Sequence, residues 1–148
     1  MKGLGGFHLA VDAVNDAAVK RLRRLKHREA KPLALMCDSL ARVRTIARIT
    51  PEEEQLLTSI QRPIVLLHKR TDTPIAPSVA PNNRCFGIML PYTPLHHLLL
   101  DAGSGFTALV MTSANLSEEP IAIDNDEAFE RLGAIADDFL IHDRNIYL

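Results

Sequence analysis

Apolar and polar positions alternate along this chain in two rhythms, and the switches between them predict most of its elements. After the glycine-rich opening GLGG, residues Phe7 to Val11 read as a strand entered through a flexible turn. From Asp12 to His27, Ala17, Ala18, Leu22 and Leu25 recur near helical spacing with arginines and lysines between them, which predicts an amphipathic helix with a basic C-terminal half. LALMC, Leu33 to Cys37, predicts a short buried strand, and Asp38 or Ser39 can cap a helix running through Ala47. TPEEEQLLTS predicts the next helix, with Thr50 as N-cap, Pro51 at the first position and Glu53 as the capping-box acid. Ile64 to His68 reads as a strand, TDTPIAPSVAPNN as a proline-punctuated loop, and FGIMLPYTP as a strand stopped by Pro91 and Pro94. LHHLLLDAG predicts a short helix ending at Gly103, TALVMT a strand, Asp124 to Leu132 a helix, and DFLIH a final strand.

Strands and helices mix without strict alternation, which predicts an α/β (α+β) domain with a twisted, mixed sheet and flanking helices. No repeat, low-complexity tract or internal linker divides the 148 residues, so they read as one domain or a piece of one. The formal net charge of −1 points to no polyanionic partner, but its distribution is uneven. Lys20 to Lys31 holds seven basic side chains and one acid, Glu29, whereas Ser113 to Asp138 holds eight acids and one base, Arg131. Cys37 and Cys85 lack zinc spacing, which fits a reducing, cytoplasmic setting. No window approaches the apolar length of a membrane span.

Three stretches could carry chemistry. Lys26, Arg28 and Lys31, in LKHREAKPLALM, place three cations within six residues where a helix gives way to a strand. They form either a solvated helix end or a clamp for a polyphosphate, with Arg supplying paired donors and Lys a point charge. Arg21 and Arg23, one or two turns earlier, read as part of a solvated helix face. The second stretch is VMTSANLSEEPI, where an apolar strand ends in Thr112, Ser113, Asn115 and Ser117. Strand C-termini are where α/β sheets bind ligands, and hydroxyls with an amide there suit phosphate or carboxylate oxygens, although a polar capped turn explains them equally well. The third, KGLGGFHL, is a glycine turn that is neither a P-loop nor a dinucleotide fingerprint. His96 and His97 are adjacent and point to different sides of a helix, so they make no metal pair, and no metal site is expected. His8 and His68 read as packed strand residues, PLHHLLL as core and Cys85 as inert.

Together, K-x-R-x-x-K-P before an apolar strand, a VAP loop and T-S-A-N-x-S-x-x-P resemble the pattern of YrdC-like domains. KGLGGFHLAVDA, QRPIVLLHKR, GIMLPYTPLHHLLL and FLIHDRNIY are similar to the YrdC-like domains of HypF-type carbamoyltransferases, which act in nickel–iron hydrogenase maturation. The resemblance covers essentially the whole chain. It implies an ATP-binding domain that forms carbamoyl-adenylate from carbamate, itself derived from carbamoyl phosphate in an acylphosphatase domain. The carbamoyl group then passes through a further domain to the C-terminal cysteine of HypE. The resemblance assigns Lys26, Arg28 and Lys31 to the family's basic motif, Ser113 and Asn115 to its S-x-N motif, and Thr112 and Ser117 to its flanks. It assigns no nucleophilic side chain, and it implies ATP and Mg²⁺ as cofactors.

Two departures stand out: Glu118 where the family usually has glycine, and Glu29 where proline is common. The chain also starts at the glycine turn and stops short of the family's R-x-D-D-S-V segment. A YrdC-like domain truncated at both ends, without the acylphosphatase, zinc-finger-like and transfer domains and with little adenylating activity alone, is therefore expected. Two other readings stay open: a threonylcarbamoyl-adenylate synthase of tRNA modification, and a non-catalytic nucleotide- or double-stranded-RNA-binding module using the basic stretch.

Overall fold

The computed structural model describes every residue except Leu116, Ser117, Glu118 and Leu148, and only the backbone of Ala102. Among the described residues five strands form one sheet: β1 (His8–Asp12), β2 (Ala34–Met36), β3 (Val65–His68), β4 (Cys85–Met89) and β5 (Leu109–Ser113), in the order β1-β5-β2-β4-β3. Only β2 and β4 run parallel; the other three pairings are antiparallel. Among the described residues five α-helices flank them: α1 (Asp16–Leu25), α2 (Leu40–Ile46), α3 (Pro51–Thr58), α4 (Pro94–Leu99) and α5 (Asn125–Leu132). The expected α/β class with a mixed sheet is what the chain adopts.

The period of two along each strand sorts the core into two layers. Leu9, Val11, Val110, Leu35, Ile88 and Val65 face one side and join the main core with Val19 and Leu22 of α1, Val43 and Ile46 of α2 and Leu57 of α3. Met36, Met89, Leu109 and Met111 face the other side and pack with Leu100, Tyr92 and Phe106 into a smaller cluster beside α4. β4 is buried along most of its length, as its near-continuous apolar run requires.

Local chemistry sets the helix ends. Ser39 caps α2 by accepting from the Arg42 N–H, and Thr50 and Glu53 form the full capping box on α3. The first helix begins later than its periodicity suggests. Asp12 belongs to β1, and Asn15 is the N-cap, accepting from the Ala18 N–H. The DFLIH segment is not a strand. The glycine turn curls away beside it, with the Gly3 N–H bonded to Gly6 O; among the described residues the segment accepts from the Lys2 N–H at Leu140 O and from Lys2 Nζ and Asn125 Nδ2 at His142 O. Phe139 anchors the segment instead, edge-on to Phe129 of α5 at 4.8 Å. Gly6 sits at φ 153°, and a Cβ there would lie 2.5 Å from the Ile121 side chain. The glycine turn is thus a close-packing device.

The turn after α1 is a Schellman closure: the His27 N–H bonds to Arg24 O and the Arg28 N–H to Arg23 O. His27 takes the left-handed position, φ 50°, that glycine usually fills. Arg23 then corrects the expectation of a solvated face. It is buried, and its guanidinium donates to the backbone oxygens of Arg28 (2.9 Å), Glu29 (3.3 Å), Lys31 (3.0 Å), Ser78 (2.6 Å) and Val79 (3.0 Å). A helix stripe alone cannot reveal this, because the partners are carbonyls outside the helix, three in the turn that follows it and two in the segment at Ser78 and Val79. Arg21 remains exposed and pairs with Asp137.

Arg23→Ala should therefore lower the unfolding free energy by about 3 kcal/mol or more, the scale for stripping a charged donor from buried carbonyls. Arg23→Lys should recover little, since an ammonium cannot reproduce the planar fork. His27→Gly should move the other way, with a gain of up to about 1 kcal/mol from relief of the left-handed strain. Urea denaturation of the three variants measures all of this.

Candidate functional site

The Schellman turn throws Lys26 and Arg28 to one side, toward the C-terminal end of β5. Lys26, 5% exposed, donates from Nζ to Ser113 O at 2.5 Å and to Asn115 Oδ1 at 3.2 Å. The Arg28 guanidinium reaches Thr112 Oγ1 at 3.2 Å. Ser113 Oγ donates to Asn115 Oδ1 at 2.7 Å, and the Asn115 amide donates to Glu119 O at 2.8 Å. Two of the three cations thus meet three of the polar residues at one strand end. Lys31 does not join them; its side chain is exposed, and its role is a backbone oxygen for Arg23. Ser117 and Glu118 lie outside the described residues.

Thr112 and Ser113 are neighbours in a strand, so they project from opposite faces of the sheet. Thr112 sits with Leu9 on the helix-packed side, where Arg28 arrives; Ser113 sits with His8 on the methionine side. The cluster therefore wraps the end of β5. On the methionine side a cavity of about 320 Å³ opens, lined among others by His8, Arg62, Met89, Tyr92, Met111 and Ser113. A larger cavity, about 450 Å³, runs beside β1 against α1 and the segment after α5, lined by groups such as Val11, Leu25 and Phe139. Neither Lys26 nor Thr112 lines it, so the smaller cavity is the one that adjoins the polar cluster.

Burial, reinforced by Arg28, pushes the Lys26 amine down to about 8. A buried cation so placed gains from any anion that reaches it. The far side of the polar loop is tied down by Arg131 of α5, the one base of the acidic segment, which bonds Pro120 O (2.6 Å) and Glu119 Oε2 (3.0 Å). Neither Arg131 nor the cavity residues His8, Arg62, Met89, Tyr92 and Met111 emerge from sequence reasoning as site residues. A solitary base among eight acids was the available signal for Arg131; the others depend on strand register. Among the described residues no three His, Cys, Asp or Glu side chains cluster as a metal site. The cluster offers the neutral oxygens of Thr112, Ser113 and Asn115, a donor type that Mg²⁺ accepts.

Comparison with known proteins gives a consistent picture. The Sua5/YciO/YrdC family model, described as "Telomere recombination", matches residues 1–147. Carbamoyltransferase HypF of Rhodobacter capsulatus is 53% identical over 148 residues, covering 99% of this chain and 19% of the relative. The crystal structure of full-length HypF in the phosphate- and nucleotide-bound form superposes with a TM-score of 0.93 at 50% identity, covering 98% of this chain and 22% of that one. Threonylcarbamoyl-AMP synthase of Mus musculus is 32% identical over 123 residues, 82% of this chain and 42% of the relative. The chain spans about a fifth of the length of the HypF relatives it matches. With the polar cluster, the mixed sheet and these matches in agreement, the chain belongs to the Sua5/YciO/YrdC family, and within it is similar to the corresponding stretch of HypF carbamoyltransferases.

Proposed function

We propose that this chain binds ATP and Mg²⁺ at the end of β5 and joins carbamate to AMP, giving carbamoyl-adenylate and pyrophosphate. The observation that carries this reading is the convergence of Lys26 and Arg28 on Thr112, Ser113 and Asn115 beside a cavity. The likeness to HypF proteins, one of them solved with phosphate and nucleotide bound, supports it. A carbamate oxygen attacks the α-phosphorus; the bond from that phosphorus to the bridging oxygen breaks, and its electron pair leaves with pyrophosphate. Negative charge grows on the equatorial and departing oxygens. Lys26 and Arg28 are fixed cations that oppose it, with Mg²⁺ supplying further charge neutralisation when bound with the nucleotide. Thr112, Ser113 and Asn115 orient the phosphates without adding charge, and Ser117, two residues further along the sequence, is proposed to join them. Lys31, exposed in this structure, supplies long-range attraction.

In the larger proteins this chain is similar to, carbamate would come from carbamoyl phosphate and the carbamoyl group would go on to HypE for hydrogenase maturation in the cytoplasm. The decisive measurement is ATP–pyrophosphate exchange. Exchange driven by ammonium bicarbonate, which contains carbamate, is expected. Exchange driven only by threonine plus bicarbonate would favour threonylcarbamoyl-adenylate chemistry, and salt-sensitive RNA binding without exchange would favour a binding module. Among the described residues no helix is long and apolar enough to cross a membrane.

Two further outcomes follow. Lys26→Ala and Arg28→Ala should each weaken ATP binding by about 1.5–3 kcal/mol in isothermal titration, while Arg21→Ala changes little. Binding should also depend on pH through Lys26. Its folded pKa of about 8 lies below the ordinary lysine value, so its contribution to fold stability is fully present above the unfolded pKa and is lost as pH falls through about 8. Bound phosphate reverses that preference. Nucleotide affinity should therefore fall as pH rises through about 8, with proton uptake on binding just above it, and Lys26→Met should flatten both.

A further inference from the structure

Two imidazoles have no part in the phosphate-binding arrangement. His8 lies directly opposite Ser113 in the β1–β5 ladder. Opposed residues share a face with Cβ atoms about 4.5–5.5 Å apart, so the His8 ring stands beside the Ser113 hydroxyl, and both line the 320 Å³ cavity. Nδ1 of His8 is sealed from solvent with no hydrogen-bond partner among the described residues. Behind it stands His96 of α4, fully buried, its ring 6.4 Å from that of His8 and 4.4 Å edge-on from Tyr92, another cavity residue. The Tyr92 N–H points at His96 Nδ1 at 3.5 Å, which places the ring proton on Nε2, and that group is also sealed and unpartnered.

An unpaired buried polar atom costs about 1–3 kcal/mol, and two of them, one on a ring that lines the cavity and one on the ring behind it, need a reason. Apart from His8 and Ser113 the cavity is walled by the apolar Ile64, Met89, Met111 and Tyr92 and by the polar Gln61, Arg62 and Thr112, so a carboxylate there would meet one cation, Arg62, as well as the imidazole. Resting on the reading that this site adenylates carbamate, we propose that His8 is the residue that binds and orients the small carboxylate-type substrate beside Ser113, with His96 positioning its ring.

The charge state suits that task. Burial lowers the pKa of His8, with the chain's amino group acting in the same direction. Burial first, then His8 and His97, lowers that of His96 to about 4. Both rings are therefore neutral near pH 7. Carbamate protonated on nitrogen loses its C–N bond and falls to carbon dioxide and ammonia. A neutral imidazole offers the substrate hydrogen bonds without supplying that proton. An imidazolium in the same place would bind the carboxylate more strongly and destroy it.

The test uses protein labelled with ¹⁵N in its histidines, titrated with ammonium bicarbonate without nucleotide. The ring nitrogens of His8 and His96 should shift, while ammonium chloride at the same pH and ionic strength leaves them in place. His8→Ala should abolish the response and raise the carbamate KM in pyrophosphate exchange by about tenfold or more, with the ATP dissociation constant unchanged. His8→Gln, which keeps a planar hydrogen-bonding group, should recover part of the loss and serves if the alanine variant does not fold. His96→Phe should keep the packing yet raise the carbamate KM and displace the His8 signals, leaving kcat less affected. Rings that do not move with carbamate, or an unchanged KM in both His8 variants, overturn the proposal. Rings that respond in a protein without ATP exchange uphold the pocket and remove the adenylation reading; exchange with silent rings does the reverse.

Discussion

The Arg23 guanidinium holds the candidate site together, although it touches only the backbone, and no side chain, of the residues that would meet a ligand. Burying a guanidinium is costly unless its donors are satisfied. Here five backbone oxygens satisfy them, drawn from the basic turn and from the short 3₁₀ turn Pro77–Val79. These contacts gather Arg28, Glu29 and Lys31 around one centre, so a segment rich in like charges adopts a single course. Among the described residues, carbonyl dipoles that accept from Arg23 and Lys26 offset part of the mutual repulsion of the cations.

Much of the fold was legible in the sequence because its signals are local. Thr50, Pro51 and Glu53 mark the start of α3 by chemistry that operates within four residues, and the structure shows each contact. The apolar runs that became β2, β4 and β5 are short and bounded by breakers, so they read clearly. DFLIH misled because its composition is strand-like while strand formation depends on a neighbour with free backbone groups; among the described residues the Lys2 N–H is the one backbone donor to it, and side chains of Lys2 and Asn125 supply the rest. The boundary between β1 and α1 falls later than the periodicity predicts because Asp12 suits either role, whereas Asn15 performs the capping.

The candidate site divides in the same way. Lys26, Arg28, Thr112, Ser113 and Asn115 stand out as residue types clustered at element ends, and the fold brings them together. Lys31 has the same composition-level signal but points to solvent, because only the backbone of its segment is pinned. His8, Met89, Tyr92 and Met111 carry no such signal. They are apolar or aromatic-like residues in apolar runs, and what makes them a cavity wall is the β1–β5 register and the position of α4 across the methionine face. Pairing of strands far apart in sequence is the information a linear reading lacks.

The end of β5 also bears on which changes this chain can accept over evolutionary time. Thr112 and Ser113 serve opposite sides of the sheet, one toward Arg28 and one toward His8. Replacing either residue alters one side alone. Inserting or deleting a single residue upstream in the strand is a different event, since it would exchange the two hydroxyls between faces and carry Val110 and Met111 into each other's layers. The methionine would then enter the main core, and the valine would stand in the cavity wall. Substitution and length change therefore have unequal weight here: the sequence of this strand can drift one side chain at a time, but its residue count between Leu109 and Asn115 is bound to both layers at once.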